Sequence, residues 1–371
     1  MIDQNLSHIK VPTALLDRKQ ARRNIRTMAE KVTQQNIRFR PHFKTHQSAE
    51  IGEWFREAGV NSITVSSVRM AAYFAENGWE DILIAFPANL RELAEINDLA
   101  ARVQLSLIVE SPDVAVALDR GLTHTTNVWV KVDTGMRRAG IGWQDAQAIE
   151  DLSKILRSAK NLKFMGLLTH AGQTYHAASP DEIRIMYIES NRRLSDLRDI
   201  LNGKLDLDLK VSVGDTPGCW LSDDSGEVDE IRPGNFLLFD AMMMDLGVCR
   251  PEDVALAVAC PIVAKHKDRK EVVIYGGAIH LSKEFILREE HPFYGYTVKL
   301  NGTGWKFLGR DNYVISLSQE HGVIRVTDEV FDQMEIGGLL GIIPVHSCLV
   351  VDTLGYMVDL QGNRYDTLRP R

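Results

Sequence analysis

From about residue 13 to 240, short apolar runs rich in β-branched residues alternate with longer amphipathic stretches. Nine of the short runs read as strands: TALLD, IRFR, SITV, DILIA, VQLSLIVE, NVWVKVD, FMGLLTH, LKVSV and VDEIR. Helical periodicity falls between them, over 18–35, 47–58, 67–77 and 89–101 in the first part of the chain. Strands joined through helices pair in parallel, because a parallel connection has to cross back over the sheet. One run is surplus to an eight-stranded ring, an edge piece or a misread segment.

After about residue 245 the rhythm shortens to alternating runs separated by Gly, Asn and Asp, including EVVIYGG, YTVKL, YVISLS, GVIRV and GIIPVHSCLVVD. That pattern predicts a mostly antiparallel β domain. The expected organisation is an α/β chain with a (β/α)8 TIM-like barrel over 11–245 and a β domain over 246–371, on which residues 1–10 pack.

The choice between a closed barrel and an open doubly wound sheet rests on where the unusual residues fall. No G-x-G-x-x-G follows the first strand, which removes the best support for a dinucleotide-type sheet. RPHFKT, DTGMRRAG, THAGQTY, VGDTPG and RPGNFLLFD each follow the C-terminal end of a different strand. In a closed βα barrel those ends form one rim, and active sites lie there.

Composition narrows the partners. The net charge of −7 argues against nucleic acid or an anionic membrane, and the longest apolar run, Val254 to Ala264, is far short of a bilayer span. Four cysteines in a large chain, and an N-terminus without signal-peptide features, predict a cytoplasmic protein. A small molecule is the expected ligand.

The rim segments suggest which one. Gly214, Gly218 and Gly234 allow close backbone approach, Thr216 offers a hydroxyl, and their loops can present several N–H groups to one anion, as a phosphate requires. Lys44 is crowded by Arg40, His42 and His46, and such crowding together with partial desolvation favours a neutral, nucleophilic amine. A reactive lysine beside a phosphate site suits pyridoxal phosphate, which carries both a carbonyl and a phosphate. Arg137 and Arg138 flank a Gly-containing loop, where one of them is expected to meet cofactor or substrate carboxylate. His170 and Tyr175 lie in THAGQTY. In the β domain, His346 and Cys348 stand two apart in a strand-like run, so both would face one way and share an ion, Zn²⁺ suiting the N/S pair. Glu320 and His321 offer acid/base groups, or simply a turn.

In this order, RPHFKTH, DTGMRRAG, THAGQTY, SVGDTPG, RPGNFLLFD, QEHG and PVHSC resemble the D-serine dehydratase and D-threonine aldolase-like group, relatives of alanine racemase with a fold-type III barrel. The resemblance runs from about residue 11 to 350. It implies a Schiff base on Lys44, supported by His42, and a phosphate cradle from Gly214, Thr216, Gly234 and Asn235. It further implies a cofactor or substrate contact from Arg138, with Tyr175 near the pyridine nitrogen and His170 close to the ring. His346 and Cys348 match the metal ligands of dehydratase-type members, and a homodimer with shared active sites is implied. Two positions depart from the pattern: Gln47 stands where a basic residue is expected, and Tyr275 where many members carry Asp before Gly.

The implied activity is a lyase acting on D-β-hydroxy amino acids, eliminating to a 2-oxo acid and ammonia with the help of a divalent metal. Lys44, Arg138, His170 and His321 are the candidate catalytic groups. The same parts serve three other readings: retro-aldol cleavage to glycine and an aldehyde, racemisation with a second base such as Tyr294, Tyr296 or Tyr313, and a non-catalytic pyridoxal-phosphate carrier.

Overall fold

The computed structural model describes residues 6–288 and 290–369. Close contacts divide the chain into two compact units that interleave along the sequence. Arg26–Lys44 and Gly52–Gly234 form one, while the first 25 residues, Thr45–Ile51 and the chain from Asn235 onward form the other.

Thr13–Leu16 (β1), the first of the nine runs, is a strand, but it is the surplus one. It pairs in the second unit, antiparallel to the stretch around Leu256–Ala259 and parallel to Val358–Asp359. Leu15 packs there with Leu6, Ile9 and Ala259. The remaining eight runs build the barrel: β2 (Arg38–Phe39), β3 (Ile63–Val65), β4 (Asp81–Pro87), β5 (Gln104–Val109), β6 (Thr126–Asp133), β8 (Leu162–Leu168), β9 (Lys210–Val213) and β10 (Glu230–Ile231). A two-residue strand, β7 (Ile141–Gly142), pairs outside the ring with β6.

These strands run parallel in the order β2-β10-β9-β8-β6-β5-β4-β3. The gap between β2 and β3 closes just beyond them: His42 bridges Thr64, whose N–H donates to the Pro41 carbonyl at 2.9 Å and whose Oγ1 donates to the Arg40 carbonyl at 2.9 Å. A strand buried on both faces is mostly apolar, and β6 buries seven residues in a row, with Val128, Trp129, Val130 and Val132 apolar and Lys131 a buried charge among them. Helices cover the ring, several with explicit start signals. Ser111 and Ser179 cap Pro112–Gly121 and Pro180–Leu205 by accepting the N–H groups of Val114 and Glu182, with proline at the start of each helix.

Because every ring strand points the same way, all five unusual segments share one rim. The barrel floor carries a buried polar chain. Arg40 donates to Glu230 and Asp81, each at 2.6 Å; Ser212 Oγ donates to Glu230 at 2.7 Å, and Arg232 Nε donates to Ser212 Oγ at 2.7 Å. Arg40 is therefore committed to carboxylates within the barrel rather than to Lys44.

The second unit is a mostly antiparallel sheet of β1, β11 (Leu256–His266), β12 (Glu271–Tyr275), β15 (Gly295–Asn301), β16 (Gly304–Phe307), β17 (Tyr313–Leu317), β18 (His321–Arg325), β19 (Leu339–Pro344), β20 (Tyr356–Asp359) and β21 (Arg364–Asp366), with a separate hairpin of β13 (Ile286–Arg288) and β14 (His291–Phe293). β12 pairs with both β11 and β18, so six of the strands curl back on themselves. The four cysteines are buried and none of them is in a disulfide, and among the described residues no helix is long and apolar enough to cross a membrane.

Candidate active site

Lys44 lies in a short 3-10 turn, Phe43–Thr45, directly after the closing bridge. Its neighbour Phe43 is fully buried, with ring centroids 5.0 Å from Phe55, Phe74 and Trp79. Burial of such a ring is worth roughly 1.5–3 kcal/mol, so the turn is anchored while the Lys44 side chain remains exposed.

The groups facing it come from several strand ends. His42 donates its backbone N–H to the Pro233 carbonyl at 2.9 Å. His170 follows β8, and its Nδ1 lies 2.6 Å from the Gly214 carbonyl oxygen. A carbonyl can only accept, so the proton sits on Nδ1 and Nε2 keeps its lone pair. The Tyr175 ring is 6.2 Å from that of His170, and its hydroxyl accepts the Thr216 N–H at 3.4 Å.

The local field is positive. Burial, with Lys44, Arg232, His170 and Arg138 nearby, holds the His42 pKa well below its ordinary value. Burial, with Lys44, Lys131 and Arg138, does the same to His170. Both imidazoles are neutral near pH 7. Lys131, buried in β6, is brought down to about 7 by burial and by Arg232 and Arg138, against the opposing pull of Asp133 and Glu110. Arg232, also buried, is lowered to about 10, chiefly by burial. Lys44, Lys131, Arg138 and Arg232 thus converge, with Asp133 and Glu110 acting on Lys131 and Glu230 and Asp215 on Arg232, and the cluster of cations is suited to an anionic ligand.

Two observations fit a phosphate ester in particular. Thr216 Oγ1 is buried with no hydrogen-bond partner. A Cβ at Gly214 would come within 2.9 Å of the Arg232 carbonyl carbon, so only glycine permits this backbone path. Gly234 is half-buried on the neighbouring loop. Asn235, next in the chain, belongs to the other unit. Its side-chain Nδ2 donates there to Asp240 at 2.6 Å and to Ser347 Oγ at 3.2 Å, so what it can offer a phosphate is its backbone N–H.

The second unit corrects the local geometry of the candidate metal pair. β19 ends at Pro344, and His346 is the N-cap residue of the helix Ser347–Leu354 rather than part of a strand. Helix capping was concealed by the apolar, β-branched run CLVVD. The imidazole and the thiol nonetheless interact, because Cys348, Glu284 and Asp240 raise the His346 pKa against a burial effect that lowers it. Glu284 Oε2 lies 2.6 Å from His346 Nδ1, leaving Nε2 as the ring atom able to ligate. Among the described residues no group of three or more His, Cys, Asp or Glu side chains could hold an ion, so the pair would leave positions open to other ligands.

His321 is exposed at the start of β18, across the ladder from Tyr275, whose ring meets that of His280 at 5.4 Å. Gln47, at a positive φ of 50°, donates Nε2 to Asp352 at 3.1 Å and accepts the Leu368 N–H at 2.8 Å. Lys131, Arg232 and Asp215 were missed by motif reading. The detectable signal was a charged residue inside an apolar strand, NVWVKVD, and charges beside the glycines of VGDTPG and RPGN.

Residues 16–241 match the model of the alanine racemase N-terminal domain, and 255–359 match a putative serine dehydratase domain. D-threo-3-hydroxyaspartate dehydratase of a Delftia species is 28% identical, covering 94% of this chain and 93% of that protein. D-serine dehydratase of Dictyostelium discoideum is 27% identical, covering 94% and 92%. The solved structure of the Delftia dehydratase covers 99% of both chains with a TM-score of 0.89 at 26% identity. D-threonine aldolase from Filomicrobium marinum shares the fold, with a TM-score of 0.83 at 21% identity over 98% of this chain and 96% of that one.

Proposed function

Because the chain belongs to the alanine racemase N-terminal domain family, we propose that it is a pyridoxal-phosphate-dependent lyase that eliminates water from D-β-hydroxy amino acids, giving a 2-oxo acid and ammonia. The observation that carries this reading is the rim cluster: an exposed lysine, two neutral imidazoles, a buried hydroxyl without a partner, and converging positive charge. The names of the relatives, all dehydratases of D-amino acids, support the substrate class.

In this reading Gly214, Thr216, Gly234 and the Asn235 backbone would hold the phosphate, Tyr175, His170 and His42 would support the ring, and Lys44 would take the carbonyl carbon. Bound pyridoxal phosphate supplies an electron sink for the charge that develops at Cα. As a free amine, Lys44 would take the α-proton as a base. Arg138 binds the substrate carboxylate, and the Nε2 lone pair of His170 accepts a hydrogen bond at the rim. His321 is the acid/base candidate of the other unit. His346 and Cys348 would hold a divalent ion, Zn²⁺ by their chemistry, which would supply Lewis acidity. A solved mutant of a D-threo-3-hydroxyaspartate dehydratase is described as a metal-free form, which supports a metal in that relative. The assembly we propose is a homodimer, in the cytoplasm, consistent with four cysteines of which none is in a disulfide.

The test is optical and chemical. The protein with pyridoxal phosphate should develop the absorbance band of a lysine-linked cofactor, and Lys44→Ala should lose both the band and turnover of D-serine or D-3-hydroxyaspartate. A band that survives in Lys44→Ala contradicts the assignment.

A further inference from the structure

Asp215 stands between two residues assigned to the phosphate, Gly214 and Thr216, and is only 2% exposed. Its Oδ1 accepts the Gly218 N–H at 2.6 Å and lies 2.9 Å from the Thr174 hydroxyl, whose single proton also faces the Ala171 carbonyl at 2.9 Å, while Oδ2 is buried with no partner. Both neighbours are neutral. The cation in its surroundings, Arg232, spends its donors on Ser212 and the Thr169 carbonyl instead.

We propose that Asp215 makes cofactor retention proton-linked: the neutral carboxyl lets the cradle take the phosphate, and ionisation of Asp215 loosens it. This rests on the reading of the cradle as a pyridoxal-phosphate site. Two anions side by side in a dry pocket repel strongly, so a bound phosphate favours the protonated carboxyl. Burial, opposed by Gly218, Thr174 and Arg232, already raises the Asp215 pKa to about 7 without any ligand.

The sign follows from linkage. Below about pH 7 Asp215 is neutral in both free and bound states and does not affect binding. Above it the free protein has lost a proton that binding must restore, so affinity falls by up to about tenfold per pH unit. Lys131, brought to about 7, also loses charge in this window, but it does so alike in wild type and Asp215→Asn, so the difference between the two proteins reports Asp215. The remaining neighbours hold their charge. Tyr187, on the helix Pro180–Leu205, has its pKa raised well above the ordinary value by burial. Cys219, on the helix Thr216–Leu221, is pushed up to about 12 by burial, and Arg232 stays cationic with a pKa of about 10.

Pyridoxine 5′-phosphate carries the phosphate but no aldehyde, so it reports the cradle without the lysine bond. Its binding to the full chain, freed of cofactor by dialysis, is measured by titration calorimetry from about pH 6 to 9 in buffers of unequal ionisation heat. Wild type and Asp215→Asn are expected to bind equally near pH 6. Near pH 8.5 the wild type is expected to bind at least about tenfold more weakly and to take up close to one proton more. Asparagine caps helices as well as aspartate does, so the variant should fold, which circular dichroism checks. Thr174→Val removes the hydroxyl that faces Oδ1 and should move the pH of the break in the profile, an effect that packing alone would not produce. Parallel pH profiles for wild type and Asp215→Asn, with equal proton uptake in both, overturn the inference while leaving the cofactor site standing. Absence of binding to both proteins at every pH overturns the cradle reading and the inference with it.

Discussion

His46 is fully buried, and its Nδ1 accepts the Ser48 N–H at 3.1 Å. Burial pushes its pKa down to about 3, against about 6.5 in an unfolded chain. The unfolded state therefore binds the proton more readily, and stability present above about pH 6.5 is lost as pH falls toward 3, with a slope of about 1.4 kcal/mol per pH unit. Denaturant unfolding of His46→Asn is expected to show that much less pH dependence between about pH 4 and 6; an unchanged slope would contradict a buried, neutral imidazole. Thr216 carries the second prediction at this scale. If its orphaned Oγ1 meets the phosphate, Thr216→Val should weaken pyridoxine 5′-phosphate binding by roughly 0.5–3 kcal/mol, whereas unchanged affinity would place the phosphate elsewhere. Several candidate residues of the proposed site were legible in sequence, because a lysine after RPH and glycines after strands are chemical signals in themselves. Lys131, Arg232 and Asp215 were not, because what makes them unusual is burial, and burial depends on which faces the ring encloses.

Among elements, the barrel could be read from the alternation of runs, and its rim from the residues that follow the runs. What could not be read was which of nine runs lay outside the ring. TALLD and SITV look alike in composition, but β1 pairs within the antiparallel sheet while β3 closes the ring through the His42–Thr64 bridge. Strand partnership is non-local, and a short apolar run carries no mark of its partner. The helix Ser347–Leu354 was hidden for a related reason, since its β-branched residues favour strand locally and the capping position of His346 is set by the turn after β19. The Arg40–Glu230–Asp81 cluster ties β2 to β10 and β4, with Arg40 and Glu230 each 2% exposed. Removing one partner of such a buried pair typically costs about 3–5 kcal/mol. Arg40→Ala is expected to lose stability on that scale in denaturant unfolding; a loss within experimental error would mean that the cluster does not brace the ring.

For the molecule as a whole, the two interleaved units divide the proposed chemistry: the barrel holds the lysine and the cradle, and the antiparallel unit holds His346 and Cys348. Elemental analysis should find about one divalent ion per chain, lost in His346→Ala and Cys348→Ala, with dehydratase turnover falling on chelation and returning on re-addition of metal. Full turnover in a metal-stripped protein would remove the ion from the account. The most direct measurement of the central claim is product analysis on the protein loaded with pyridoxal phosphate and metal, offered both enantiomers of serine, threonine and 3-hydroxyaspartate. The account predicts 2-oxo acid and ammonia in equal amounts from one or more of the D-substrates and none from the L-series. Glycine with an aldehyde, solvent exchange of the α-proton on both enantiomers, or no turnover at all would contradict it.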